Sequence, residues 1–262
     1  MANGLSDSLR STLQAQDAEI SIASRKFDER LKHALELALL ALIPWLMQNL
    51  TLVNGDIALS AANLKVLATV GERLFQLMME SGLSTATSDF SAVLEDQGKF
   101  LSRILQELHL PNFDEGLSNA SINARLAQLS RQVMLWSEYA ALAAESTIGS
   151  SPQDIVYAVK RQFAKLSPGQ YAATLLSTHS RTLANAVYQA EESKHGPLNY
   201  IYAGPPSGDP VIRPFCKKLM SEVEGGQSWT RDEIDEMDNG QIPNVFISCG
   251  GFNCRHQWLP FK

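Results

Sequence analysis

The chain places Cys249, Cys254 and His256 in its final stretch, beside the paired glycine Gly250-Gly251, Arg255 and Trp258. The remaining cysteine, Cys216, lies upstream after Asp209 and Arg213. Three chemistries can use such a set. Cys216, Cys249, Cys254 and His256 offer the soft thiolate and imidazole ligands that zinc favours, although C-x4-C-x-H lacks the tight C-x2-C knuckle. Cys216 and Cys254 can instead pack against each other as small buried groups, reduced or joined as a disulfide after release from the cell, with Cys249 as a third buried thiol. A cysteine paired with His256 could act as a nucleophile, but that needs an orienting group and an oxyanion site, and neither is assignable. Gly250-Gly251 reads as a turn or bulge, because no Lys-Ser/Thr and no helix follow it.

The set also reads as a structural clasp. "NVFIS" (244–248) is expected to form a strand, and Gly250 and Gly251 to turn the chain tightly. Cys254 then faces Cys216, and Trp258 covers the core. Arg213 and Arg255 are expected to pair with Asp209 or with the carboxylates of "RDEIDE" (231–236), while Asp209 or a backbone carbonyl satisfies His256. His33, His109, His179 and His195 stand alone and read as surface or core histidines. No paired-carboxylate, Walker, Rossmann or HExxH pattern occurs.

Long helices must carry this cluster. Apolar residues recur at three- and four-residue spacing from Ile20 through Phe27, Leu31, Leu35 and Leu42, and Pro44 is expected to kink or end that helix. A turn, "VNGD" (53–56), precedes a second helix from Ser60 to about Ser81, with Leu64, Leu67, Val70, Leu74, Leu77 and Met78 on its apolar stripe. A third runs from about Ser88 to Leu108. A fourth runs from Ser118 to about Ile148, with Leu126, Leu129, Val133, Trp136, Tyr139 and Leu142 as its seam. "SSPQD" restarts a helix with Ser151 as cap, Pro152 at the first position and Asp154 at the positive end. A sixth helix spans about Gln170 to Glu192.

After "KHGPLN" the texture changes. "YIYAG" suits a strand, "PFCKKLMSEVEGG" a short helix ended by Gly225, and "SWTRDEIDEM" a helix with Thr230 and Glu233 as a capping box. The expected fold is mainly α. Residues 1–150 form a helical bundle, 151–195 a helical connector and 196–262 a small α+β module.

Composition narrows the function. With 45% hydrophobic and 19% charged residues the chain is globular, and its net charge of −6 argues against a dominant nucleic-acid footprint. The run "HALELALLALIPWLMQNL" holds Glu36 and Pro44 and reads as a core helix, so no membrane contact is expected. The polar start shows no secretory signal, and three cysteines do not resemble a disulfide framework.

Taken in order, "THSRTLANAVYQAE" (178–191), "NYIYAGPPSGDPVIRPFC" (199–216), "WTRDEIDEMDNGQIP" (229–243) and "GGFNCRHQWLP" (250–260) resemble the phage minor head protein family, the Mu F-like head morphogenesis proteins. The resemblance covers Tyr171 to Lys262. It implies a virion structural protein, made in the host bacterial cytoplasm and carried at the head near the portal, with no established catalysis by the module. It further implies portal and neighbouring head or tail-connector proteins as partners, a homo-oligomeric ring, and packaged DNA as a further contact. The alternative is a metal-dependent enzyme, such as a nuclease, centred on the C-terminal Cys/His cluster.

Overall fold

The computed structural model describes residues 7–145, 147–204, 212–251 and 254–261. Asp209 therefore lies outside the described residues. The fold is mainly α with a small α+β region. The elements are α1 (Asp7–Asn49), a hairpin of β1 (Leu52–Val53) and β2 (Asp56–Ile57), α2 (Ala61–Ala68), α3 (Val70–Met78), α4 (Ser84–Glu107), α5 (Glu115–Glu145), α6 (Pro152–Phe163) and α7 (Pro168–His195). After them come β3 (Asn199–Ala203), α8 (Pro214–Glu224), β4 (Trp229–Thr230), α9 (Arg231–Asp235), α10 (Val245–Ser248) and β5 (Gln257–Phe261).

The chain divides into two compact units, and they are not the three consecutive segments expected. One comprises residues 1–24, 92–125 and 170–262; the other comprises 25–91 and 126–169. Three of the four boundaries fall inside α1, α4 and α5, where no glycine or proline marks them, and the fourth follows Pro168-Gly169 at the start of α7. Helices this long can serve two cores in turn, so composition gives no sign of the change.

In the second unit, α1 buries Phe27, Leu31, Leu35, Leu42 and Leu46, and Phe27 meets Phe90 of α4 with ring centroids 5.6 Å apart. Pro44 neither ends nor breaks α1, which continues to Asn49. Pro44 and Leu40 both sit on the exposed face, where water can take up the carbonyl that the missing N–H leaves free. Of the described helices, α1 is long and apolar enough to cross a membrane, a test that core helices also pass.

The hairpin turns at Asn54 and Gly55, both at positive φ, as a two-residue turn between short strands requires. It is tied down by Ile57 N–H to the Ser150 carbonyl (2.9 Å) and by Asn63. The buried Asn63 amide accepts from Thr51 N–H and donates to the carbonyls of Thr51 and Ala58.

The expected second helix is two helices, α2 and α3. Leu67, Val70, Leu74, Leu77 and Met78 are buried as expected, but Leu64 is exposed. A wide turn at Met79–Leu83, where Gly82 has φ 114°, separates α3 from α4. The seam of α5 is Leu129, Val133, Ser137 and Ala140, while Tyr139 and Leu142 face solvent. Small residues lie where α3 and α5 touch: a Cβ on Gly71 would stand 2.8 Å from the Cα of Glu138.

The first unit holds the three-stranded antiparallel sheet, ordered β4-β3-β5. Alternation along β3 serves two cores. Tyr200 and Tyr202 join Leu183, Tyr188, Cys216, Phe246 and Trp258 on one side, while Ile201 and Ala203 meet Leu9, Ile104 and Leu259 on the other. The Thr230–Glu233 capping box of α9 forms as expected, Ser151 and Asp154, expected as cap and as complement to the helix end, form a capping box at α6, and Gly225 caps α8.

"NVFIS" corrects the sequence expectation. Residues 245–248 form one helical turn, with Asn244 as a left-handed N-cap whose side chain accepts from Ile247 N–H. The burial pattern agrees, since adjacent Val245 and Phe246 are both buried, whereas a strand would bury alternate residues.

Replacing Gly71 by valine should destabilise the chain by about 1–3 kcal/mol, because the facing atom is backbone and cannot turn aside. Urea melts of Gly71→Val against the parent protein measure this; equal midpoints would mean α3 and α5 separate freely.

Candidate functional site

The centre of the first unit is α7. Its segment 178–185 sends nearly every polar side chain to a different element. His179 Nδ1 meets Ser121 Oγ at 2.9 Å, and Gln16 donates to Ser180 Oγ at 2.8 Å. Arg125 donates to Thr182 Oγ1 at 3.0 Å, and Asn185 Oδ1 accepts from Arg231 at 2.8 Å. Arg231 also pairs with Glu192 at 2.8 Å and lies 3.9 Å over the Phe246 ring. Glu192 in turn accepts from the Tyr200 hydroxyl at 2.7 Å.

Arg181 is the member of this segment that reaches the C-terminal cluster. Its buried guanidinium donates to the carbonyls of Cys254 and, at 3.4 Å, Ile247. Burial alone would disfavour its charge. Cys249, Cys254, Tyr202 and Cys216 around it outweigh that effect, and its proton is held more tightly than usual.

Three expected members, Cys216, Cys254 and His256, meet here. Cys216 of α8 and Cys254 have sulphurs 3.8 Å apart, and all three cysteines are free thiols. Tyr202 Oη of β3 lies 3.4 Å from each of these sulphurs. Cys254 Sγ is 3.6 Å from His256 Nδ1. The His256 ring stacks on Tyr202 with an interplanar angle of 4° and a centroid separation of 5.0 Å. Its Nε2 is buried and has no hydrogen-bond partner among the described residues.

Gly250 closes the cluster from the other side, because a Cβ there would stand 2.2 Å from Cys216 Sγ. Arg213 donates to the Gly250 carbonyl, and Gly251 takes φ 93° against Arg213 and Gln241. Trp258 donates its indole N–H to the Val245 carbonyl at 3.2 Å and packs on Tyr202 and Trp229.

Two expected roles change. Cys249 is not part of the ligand set: it is fully buried, and its thiol faces the Phe246 carbonyl at 4.0 Å. It lies at the end of α10 with φ 51°, and its sulphur is not among the donor atoms that meet within 4.8 Å. Burial pushes this thiol up to about 12. Arg255 finds its acid not in "RDEIDE" but in Asp17 of α1, at 3.1 Å, a partner no local spacing could indicate. Sequence reasoning also missed Arg181 and Tyr202 as parts of the site. Both lay within the resembling segments, and an arginine among the small and apolar residues of a helix was the available signal.

The two close thiols share their protons unequally. The contact between them holds Cys216 up, with burial adding to it, and draws Cys254 down, helped by His256 and Arg181. Chemically the arrangement can hold a soft cation, keep one sulphur as a thiolate beside Arg181, or close a disulfide. As a nucleophilic pair it is poorly placed, since Cys254 and His256 are both buried and no described group orients Nε2.

Replacing Arg181 by methionine should cost about 2–4 kcal/mol by leaving the buried Cys254 carbonyl and the partly buried Ile247 carbonyl without this donor. Lysine should recover only part of that, having no fork to serve both. Chemical denaturation of the three proteins tests this, and a methionine variant as stable as the parent would show that water replaces the guanidinium.

His179 makes stability depend on pH. Burial first, then Arg125, lowers it to about 4 from an ordinary 6.5. The unfolded chain therefore binds the extra proton between those values, so stability is full above about 6.5 and falls as pH drops towards 4. The expected loss from pH 7 to pH 5 is about 2 kcal/mol. Denaturation curves at both pH values should show a smaller loss in His179→Gln; an unchanged slope would remove His179 as the cause.

Comparison with family models, with curated proteins and with solved structures returns no match, so the function has to be argued from the chain's own residues and geometry.

Proposed function

We propose that this chain is a bacteriophage virion structural protein of the head and portal vertex, a minor head protein or head–tail adaptor that acts in head assembly or completion through protein–protein contacts. The observation that carries the reading is convergence. The four segments that resemble the minor head protein family supply Arg181, Tyr202, Arg213, Trp229, Gly250, Cys254 and Trp258, and these interlock in one buried centre. Chance matches scattered along a chain have no reason to pack together. Their joint contribution to one core supports a single module of that kind.

The second unit supports the contact role. Leu37, Leu40, Met47, Leu59, Leu64, Tyr139, Leu142 and Tyr157 are large apolar side chains left exposed there. Leu40 and Tyr157 line a groove with Leu39, Ile43 and Val156, rimmed by Glu36 and Lys160. Apolar surface with a charged rim is what a protein partner covers. The partners are portal and neighbouring head or connector proteins, with copies of the chain arranged as a ring. The enzyme alternative rests on the closeness of Cys216, Cys254 and His256. It is weaker, because hydrolysis needs a site that a phosphodiester can reach, and these donors are buried.

Mass spectrometry and cryo-EM of intact particles test the reading. The chain should be found in purified particles as density beside the portal, and Leu40→Asp with Tyr157→Asp should lower its incorporation while leaving the melting temperature within about 2 °C. A chain absent from particles, or metal-dependent DNA cleavage lost in His256→Ala, would overturn it.

A further inference from the structure

We propose that Cys216, Cys254 and His256 bind one zinc ion, which clips α8 to the chain entering β5. Zn–S bonds of about 2.3 Å and Zn–N bonds of about 2.1 Å at a tetrahedral angle place two sulphurs about 3.8 Å apart, and a sulphur about 3.6 Å from a nitrogen. The observed separations are 3.8 Å for Cys216 Sγ to Cys254 Sγ and 3.6 Å for Cys254 Sγ to His256 Nδ1. All three donor atoms lie within 4.8 Å of one another. The C-x-H spacing that looks too short for a zinc knuckle is suited to extended chain, where residues i and i+2 point to the same side.

Two reduced cysteines can touch at 3.8 Å without a metal, so further features must separate the cases. The chain keeps side chains out of the space between the donors: a Cβ on Gly250 would stand 2.2 Å from Cys216 Sγ and 3.1 Å from Cys254 Sγ. His256 is held in one orientation, stacked on Tyr202 and pressed against Gly204, where a Cβ would come within 2.6 Å of its ring. That orientation turns Nδ1 towards Cys254 although it leaves the buried Nε2 without a partner among the described residues. The Tyr202 hydroxyl, 3.4 Å from both sulphurs, is placed as an outer donor to metal-bound thiolates. Cys249 is just as buried and has none of these features, so the arrangement is specific to the triad.

On binding, the S–H bonds of Cys216 and Cys254 break and their two protons pass to solvent. Two Zn–S bonds and one Zn–N bond form, and no electron is transferred. The two thiolates neutralise the dication. A cavity of about 40 Å3, lined by Gln16, Ser177, Ser180, Arg181, Cys254 and His256, has room for the water that completes the tetrahedron.

The test uses the full chain, purified under reductant without a metal-affinity tag. Elemental analysis should give one zinc per chain. The stripped protein should take up one equivalent of Co2+, giving the intense visible bands of a tetrahedral site with thiolate charge transfer, and Zn2+ should abolish them. Cys216→Ser, Cys254→Ser and His256→Ala should lose stoichiometric uptake, whereas Cys249→Ala should keep it, with far-UV circular dichroism reporting folding. X-ray absorption of the parent protein gives a readout independent of any variant and should show two sulphurs with nitrogen or oxygen completing the shell. No cobalt band in the reduced parent, a shell of three sulphurs, or loss of binding in a folded Cys249→Ala would overturn the site. Zinc binding stands or falls separately from the virion reading, which is decided by particle composition.

Discussion

A buried arginine sets the terms for the C-terminal region. Arg181 leaves the side of α7 and donates to the carbonyls of Cys254 and Ile247, which belong to stretches with little regular structure of their own. The single turn of α10 and Cys254 have short-range backbone hydrogen bonds, such as Cys249 N–H to the Val245 carbonyl at 2.8 Å and Cys254 N–H to the Gly251 carbonyl at 3.2 Å, which fix them locally but do not tie them to α7. A guanidinium with several donors in a rigid fork can hold two such strands of chain at once, and a buried charge so committed cannot leave without exposing both carbonyls. The rest of the cluster depends on that placement. The hold of Arg181 on Cys254 acts together with the β3–β5 pairing, which sets Gln257 opposite Ala203, to bring Cys254 to Cys216 and His256 to Tyr202.

The pinned chain is then packed closely on glycines. Gly250 approaches the sulphur of Cys216, Gly204 the face of His256, and neither position admits even a methyl group. Aromatic rings fill the remaining volume: Tyr202 touches Phe215, His256 and Trp258, and Trp258 touches Trp229. Rings of fixed shape around a polar centre leave its donors little freedom. A metal site, a charged thiolate or a reactive thiol would each gain from such restraint, and the separations of the donor atoms favour the first.

How much of this was legible depended on whether the signal was local. Capping residues identified α6 and α9 because the hydrogen bonds are made within three residues. The strand at Tyr200 and the contact of Cys216 with Cys254 followed from residue type and from the order of motifs. "NVFIS" carries no decisive local signal, because a short apolar run fits a strand or a helical turn equally, and the deciding group is Asn244 in a left-handed conformation. The effect of Pro44 is not legible locally, because its cost depends on which face of the helix it occupies, and that face is set by distant packing. Asp17 as the partner of Arg255, and the exchange of cores along α1, α4 and α5, are long-range facts with no local mark.

The same contrast explains why cysteines gather in a chain that uses so few. A clasp made only of apolar contacts would work with alanine or valine at 216 and 254, and the surrounding tyrosine, histidine and arginine would then be polar groups buried without need. Sulphur changes that balance. As a thiolate, Cys254 would accept from Tyr202, face the imidazole of His256 and lie in the field of Arg181, so that each costly group in the centre would offset another. Removing any one leaves the others uncompensated. The cluster is therefore a unit, and its members must be kept together whether the centre is finally held by protons or by a metal ion.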